Sequence, residues 1–468
     1  MEIKRVYFVG IGGIGMAALA RYYMSAGVPV AGYDRTPSPL TAELQAEGAA
    51  VSYADSMEAV PDAFRNPEGT LVVYTPAVPE ANVPLSFFRN GGFEVRKRAY
   101  VLGHITRNSK GLCFAGTHGK TTTSSMAAHV LHSGPVGCNA FLGGILKGYN
   151  SNLMLSPTSP YSVIEADEYD RSFHQLTPYI AVITATDPDH LDIYGTEEAY
   201  LESFAHFTEL IRPDGALVVR TGLKLVPRPP KGVRVYTFGR GEGDFHAAKV
   251  RTGNGTIVFD FVYPGGCITD IELGVPVDVN VDNAVAALAA VWLTGSLTPE
   301  LARTAIAGYP GVERRFEFHL KESGPDGRVV IDDYAHHPDE LTRSIESVRA
   351  LYPHRRLTVA FQPHLYSRTR DFAPEFAAAL SKADEVVLID IYPAREEPIP
   401  GVSSKIIFDD VKINNKMMIS KEDFVDTMKN RNFEILLTVG AGDLSFCVPA
   451  LVKELKAQHD GKTGMPAS

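Results

Sequence analysis

The sequence predicts an α/β protein of three domains, and three observations carry that prediction. An apolar run from Arg5 to Val9 breaks into Gly10-Ile11-Gly12-Gly13-Ile14-Gly15 and resumes at helical spacing from Met16 to Ala26. A second run, Leu112 to Ala115, breaks at Gly116 and becomes helical after Gly119-Lys120-Thr121. In the last third, four apolar strands each end in polar residues. Together they predict a Rossmann-like N-terminal domain (1–103), a central mononucleotide-binding domain of P-loop ATPase type (104–312) and a Rossmann-like C-terminal α/β domain (313–468).

Size agrees with this division, since 468 residues at roughly 150 per domain give about three. Hydrophobic residues make up 45% and charged residues 21%, as in ordinary globular proteins, so each domain can bury a core. A formal charge of −10 without a basic block argues against a nucleic-acid surface. The apolar run after Met1 is too short for a signal peptide and no run reaches the length of a membrane span, so a cytoplasmic protein with small-molecule partners is expected. Cys113, Cys138, Cys267 and Cys447 have neither CxxC nor metal spacing and read as reduced thiols.

Taken in order, Gly10, Gly12, Gly13 and Gly15 form a turn that opens backbone N–H groups and a helix N-terminus to a diphosphate. Asp34 ends the strand Val28 to Tyr33, 19 residues past Gly15, where a carboxylate meets a ribose. A nicotinamide dinucleotide and any other nucleotide diphosphate both satisfy this pattern. Leu71 to Tyr74 is a further strand, and Thr75 follows it at the same sheet edge.

In the central domain Gly116, Thr117, His118 and Gly119 curl around a polyphosphate, with Lys120 supplying a charge and Thr121, next to Thr122, a hydroxyl for Mg²⁺. Only two residues separate Gly116 from Gly119, where the usual phosphate loop has four before Gly-Lys. The strand Tyr161 to Ile164 stops at Glu165-Ala166-Asp167-Glu168-Tyr169-Asp170. If it neighbours Leu112 to Ala115, Glu165 lies close to the triphosphate and holds Mg²⁺ directly or through water. His190, after the strand Tyr179 to Ala185, is open between metal ligand, base and turn residue. Asn280 and Asn283 share a face of the helix Val279 to Ala290, placed to grip a nucleotide, with a capping role for Asn280 as the alternative.

A linker, Gly308 to Arg315, leads to the four strands of the last domain, in VVIDDYAHHP (329 to 338), LTVAFQPHLYSRTR (357 to 370), EVVLIDIYPAREE (385 to 397) and EILLTVGAGD (434 to 443). In an open parallel sheet such ends line one crevice, so a ligand site is expected there.

GIGGIGM (10–16), GTHGKTTT (116–123), EAD (165–167), Asp189-His190, Arg314-Arg315-Phe316, DDYAHHP (332–338), and FQPH with RTRD between Phe361 and Asp371 stand in the order in which they recur in the Mur ligases. From about residue 5 to 445 the chain resembles that family. The resemblance implies ATP-dependent transfer of the γ-phosphoryl group to the lactyl carboxylate of UDP-N-acetylmuramate, then attack of L-alanine on the acyl phosphate, a step of peptidoglycan synthesis. It implies Mg²⁺ (two ions, with Mn²⁺ able to substitute), and metal roles for Thr121, Glu165 and His190. It assigns the first domain, with Gly10, Gly12, Gly13, Gly15, Asp34 and Thr75, to the UDP part of the substrate. It assigns Asn280, Asn283, Arg315 and Asp333 to ATP, and Tyr334, His336, His364 and Arg368 to the amino acid. Lys120, Glu165, His190 and Arg368 are the implied catalytic set, in a monomer or weak homodimer. Ala185, Val279 and Leu365 depart from the family's Asn, His and Arg. The helix Tyr200 to Ile211 lacks the lysine that relatives carbamylate, so no carbamate is expected. A ligase adding a recycled peptide or another amino acid is the near alternative. A dehydrogenase leaves the phosphate loop and Glu165 without a use.

Overall fold

A computed structural model of the chain describes residues 3–75, 78–189, 191–253, 255–322, 324, 327–394 and 396–463. The chain divides into two compact units, 1–249 with 259–271 and 279–310, and 250–258 with 272–278 and 311–468. Among the described residues no helix is long and apolar enough to cross a membrane.

In the first unit a five-stranded sheet has the order Ala50–Ser52, Val30–Tyr33, Arg5–Val9, Thr70–Tyr74, Glu94–Lys97, with every pair parallel. Val6 to Val9 and Leu71 to Val73 are buried, which is why these strands read as unbroken apolar runs. The strand order reverses between Arg5–Val9 and Thr70–Tyr74, so a crevice opens at their carboxyl ends, where Gly10 and Thr75 stand. The expected boundary at residue 103 falls inside the helix Arg98–Asn108, which leads directly into the next sheet.

That sheet has ten strands, and its parallel body runs Ala216–Arg220, Ile180–Ile183, Lys110–Ala115, Tyr161–Glu165, Asn139–Leu146. Tyr161–Glu165 is thus hydrogen-bonded to the strand that feeds the phosphate loop, with Phe114 opposite Glu165. The helix Val279–Leu293 packs on Lys120–Ser133 and is buried from Asn280 through Val291, so it is apolar all round except at Asn280, Asp282 and Asn283.

The second unit holds a six-stranded sheet ordered Glu317–Lys321, Val329–Asp333, Ile435–Val439, Leu357–Phe361, Glu385–Ile389, Lys416–Ile419. Only Glu317–Lys321 is antiparallel, and the four strands expected from sequence are parallel neighbours. Ile435–Val439, last in the chain, inserts between the first two, and the crevice lies at its carboxyl end.

Candidate active site

The phosphate loop leaves its strand at Gly116 (φ +142°) and enters the helix at Gly119 (φ +83°), a left-handed backbone in which other residues are strained. Thr117 N donates to Ala185 O (3.1 Å), and the Thr184 hydroxyl donates to His118 O (2.5 Å), so the neighbouring strand's end fixes the loop. The Thr117 hydroxyl donates to Asp187 O (2.7 Å) and stands 2.9 Å from Tyr200 Oη. Lys120 Nζ donates to Gly116 O (2.7 Å) and lies 2.8 Å from both carboxylate oxygens of Glu168, with hydrogen-bond geometry toward Oε1. Glu168 is 1% exposed, and burial raises its carboxyl above the ordinary range although Lys120 opposes the shift. Asn283 accepts from the Thr123 hydroxyl (3.2 Å) and donates to Asn280 Oδ1 (3.0 Å), so the amide pair braces the loop-bearing helix.

A cavity of about 330 Å³ lies between the glycine turn and the carboxylates, within the size range of small-molecule sites. Its walls include Gly13, Gly15, Thr75, Arg98, Phe141, Gly143, Glu165 and Asp167. Glu165 Oε2 accepts from Gly143 N (3.0 Å), and Arg98 donates to Asp167 Oδ2 (3.3 Å). Asn152 donates to Ile14 O (2.8 Å), which pins the start of the turn's helix to Ser151–Met154, the antiparallel partner of Asn139–Leu146. Asp34 Oδ2 accepts from Gly12 N (2.7 Å) and so stabilises the turn itself.

In the second unit Tyr334, His336, His364 and Arg368 come together at the expected crevice. The His336 ring is 5.2 Å from that of Tyr334 and 6.1 Å from that of His364, and His364 stacks on Tyr392 at 5.9 Å. Burial lowers the His336 pKa, opposed by Glu340 and reinforced by the positive charges of Arg368 and Arg315. Arg368 Nη1 is buried with no hydrogen-bond partner. Arg314 and Arg315 lie over the Tyr334 ring at 4.7 and 5.3 Å. Both Asp333 oxygens are engaged, one by Phe316 N (3.1 Å) and the other by the Ser344 hydroxyl, which anchors the turn carrying Arg315.

Three family models cover most of the chain: the Mur ligase family catalytic domain at residues 5–110, the Mur ligase middle domain at 114–291 and the Mur ligase glutamate ligase domain at 314–450. The chain belongs to the Mur ligase family. It is 57% identical to the UDP-N-acetylmuramate–L-alanine ligase of Phocaeicola vulgatus over 450 residues, 96% of this chain and 97% of the relative. To the enzyme of that name from Parabacteroides distasonis it is 59% identical over 455 residues, 97% of each. Among solved structures, the UDP-N-acetylmuramate-alanine ligase of Thermotoga maritima superposes with a TM-score of 0.79 at 27% identity, covering 98% of this chain and 99% of that one.

Within this Mur ligase the structure also brings in residues that the sequence did not single out. Glu168 was one carboxylate in a cluster, and only the fold shows it paired with Lys120. Arg98 follows a short strand, Glu94–Lys97, that its charged residues hid. Tyr392 reaches His364 from the next strand, across 28 positions of chain. His190 lies outside the described residues. Ala185 acts through its backbone carbonyl, Leu365 is buried beside His364 with φ +70°, and Val279 is 44% exposed.

Proposed function

We propose that this Mur ligase joins L-alanine to the lactyl carboxylate of UDP-N-acetylmuramate with hydrolysis of ATP to ADP and phosphate, through an acyl phosphate, in peptidoglycan synthesis. One observation carries the reading. Tyr161–Glu165 pairs with the strand that ends in the phosphate loop, so a carboxylate that faces the cavity of the glycine turn stands on the strand next to Lys120. A phosphorylation of one bound substrate by another needs that adjacency.

The roles follow from the local chemistry. The N-terminal domain takes the UDP part, the central domain ATP and the C-terminal domain the amino acid. Lys120 and the loop N–H groups stabilise charge that builds on the phosphoryl oxygens. Hard oxygen donors fit Mg²⁺, which keeps water and phosphate in much of its shell, so Thr121 and Glu165 are enough protein ligands for one ion, and His190 is assigned to a second. When bound, the metal neutralises phosphate charge. Arg368, with a buried nitrogen that has no partner, receives the alanine carboxylate, and Tyr334, His336 and His364 wall the space for a small side chain. Arg315 is assigned to a phosphate of the nucleotide.

Phosphate release with ATP and UDP-N-acetylmuramate tests the reading across the amino acids and the tripeptide L-alanyl-γ-D-glutamyl-meso-diaminopimelate. Strong release with L-alanine alone is expected. Release with the tripeptide in its place makes the chain a peptide-adding ligase. With ¹⁸O in both oxygens of the lactyl carboxylate, one label per turnover is expected in phosphate and the other in the amide, and phosphate free of label removes the acyl phosphate.

A further inference from the structure

The cavity beside the glycine turn contains one unexplained cation. Among the described residues that line it, Arg98 is the only lysine or arginine, and Glu165 and Asp167 add two carboxylates to the same lining. An anionic nucleotide sugar entering there needs a positive partner, and backbone N–H groups alone leave most of a diphosphate's charge unmatched.

Arg98 is poorly placed for the stability of its own helix. It is the first residue of Arg98–Asn108, a helix whose first turn has no acidic residue and whose preceding residue, Lys97, gives no side-chain cap. A cation there opposes the helix dipole, so it adds to a positive end that would favour an anion. Two further observations fix the guanidinium in the cavity. Its Nη2 donates to Asp167 Oδ2 at 3.3 Å. A Cβ on Gly15 would stand 2.5 Å from Nη1 and 3.2 Å from Cδ, so glycine at this position leaves the room that Arg98 occupies. Gly15 has no positive φ, so the need for glycine comes from the close approach and not from the backbone.

Resting on the reading that a UDP-sugar occupies the first domain, we propose that Arg98 is the side chain that binds its diphosphate, held in place by Asp167 and given its space by Gly15. The contact with Gly15 lies on the turn itself, which favours the diphosphate over the lactyl carboxylate. Asp167 and Gly15 are positioning residues.

Isothermal titration of UDP-N-acetylmuramate and of UDP-N-acetylglucosamine, without ATP or alanine, tests this on wild type and on Arg98→Ala, Arg98→Lys, Gly15→Ala and Asp167→Asn. Arg98→Ala is expected to weaken both ligands by about tenfold or more, with ADP binding unchanged. Gly15→Ala removes no charge yet should weaken both by displacing the guanidinium. Arg98→Lys keeps the charge without the fork and should recover part of the loss. Unchanged affinities in Arg98→Ala, or loss confined to the muramate, which alone carries the lactyl carboxylate, overturn the proposal. If wild type binds neither UDP-sugar, the assignment of the first domain fails and the proposal fails with it. Circular dichroism of each variant separates these outcomes from misfolding, and Arg98→Lys, the mildest change, carries the decision if Gly15→Ala does not fold.

Discussion

Lys120 is both a candidate catalytic charge and half of a buried ion pair, and those two properties separate by mutation. Lys120→Ala should lower turnover by roughly 100-fold or more, because a preorganised donor to a developing anion contributes about 3 kcal/mol or more. It should also destabilise the protein, since Glu168 at 1% exposure then has no counter-charge. Adding Glu168→Gln should restore the melting temperature of Lys120→Ala without restoring activity. Equal melting temperatures for Lys120→Ala and wild type would mean that the pair contributes nothing. Glu165 faces a cavity and accepts from Gly143 N, so Glu165→Gln should raise the Mg²⁺ concentration for half-maximal activity and leave muramate-nucleotide binding nearly intact. An unchanged magnesium titration removes it from the metal shell. Arg368→Lys should raise the Michaelis constant for L-alanine at least about tenfold and leave those for ATP and the muramate nucleotide near their wild-type values, because a lysine cannot supply the paired donors. A uniform change in all three constants places the alanine carboxylate elsewhere.

At the scale of elements, Val329–Asp333 joins stability to pH. Asp332 is 3% exposed near the carboxyl end of its strand and accepts from the Thr438 hydroxyl (2.5 Å) on Ile435–Val439. Burial raises its pKa from 3.8 to about 6, partly offset by Thr438 and Arg314. A raised carboxyl pKa makes the folded state hold its proton more tightly than the unfolded chain, so this contribution is fully present below about 4 and is lost as pH rises through about 6. Asp332→Asn removes that titration, and the melting temperature of the variant minus that of wild type should grow as pH rises from about 4 to about 7. A difference that stays flat across that range refutes the shift. The same strand was plain in the sequence because VVI is buried on both faces, as were Leu357–Phe361, Glu385–Ile389 and Ile435–Val439. Phe245–Gly253 and Gly266–Glu272 were not, because their burial alternates irregularly with exposed residues and they lack a long apolar run. Lys120, Glu165, His336 and Arg368 were legible as candidates because each ends or follows a strand at a sheet's carboxyl edge. Glu168 and Arg98 were hidden because what marks them is a partner distant in sequence, Lys120 in one case and Gly15 with Asp167 in the other.

For the whole molecule, two compact units with separate cores predict unfolding that is not a single two-state event. The substrate assignments give that expectation a direction, since a ligand stabilises only the unit whose native state binds it. UDP-N-acetylmuramate, assigned to the first domain, should raise the midpoint of one calorimetric transition and leave the other in place. At about 100 times its dissociation constant the gain is about 2.7 kcal/mol. Hydrogen exchange identifies which unit responds. Protection should increase in Ile14–Ser25 and Asn139–Leu146, which line the cavity, and in Arg5–Val9, which leads into the glycine turn, and stay unchanged in Val329–Asp333 and Leu357–Phe361. Protection confined to the second unit would put the UDP-sugar on the wrong domain. It would then return the glycine turn to the question that its sequence left open, which nucleotide diphosphate it was built to hold.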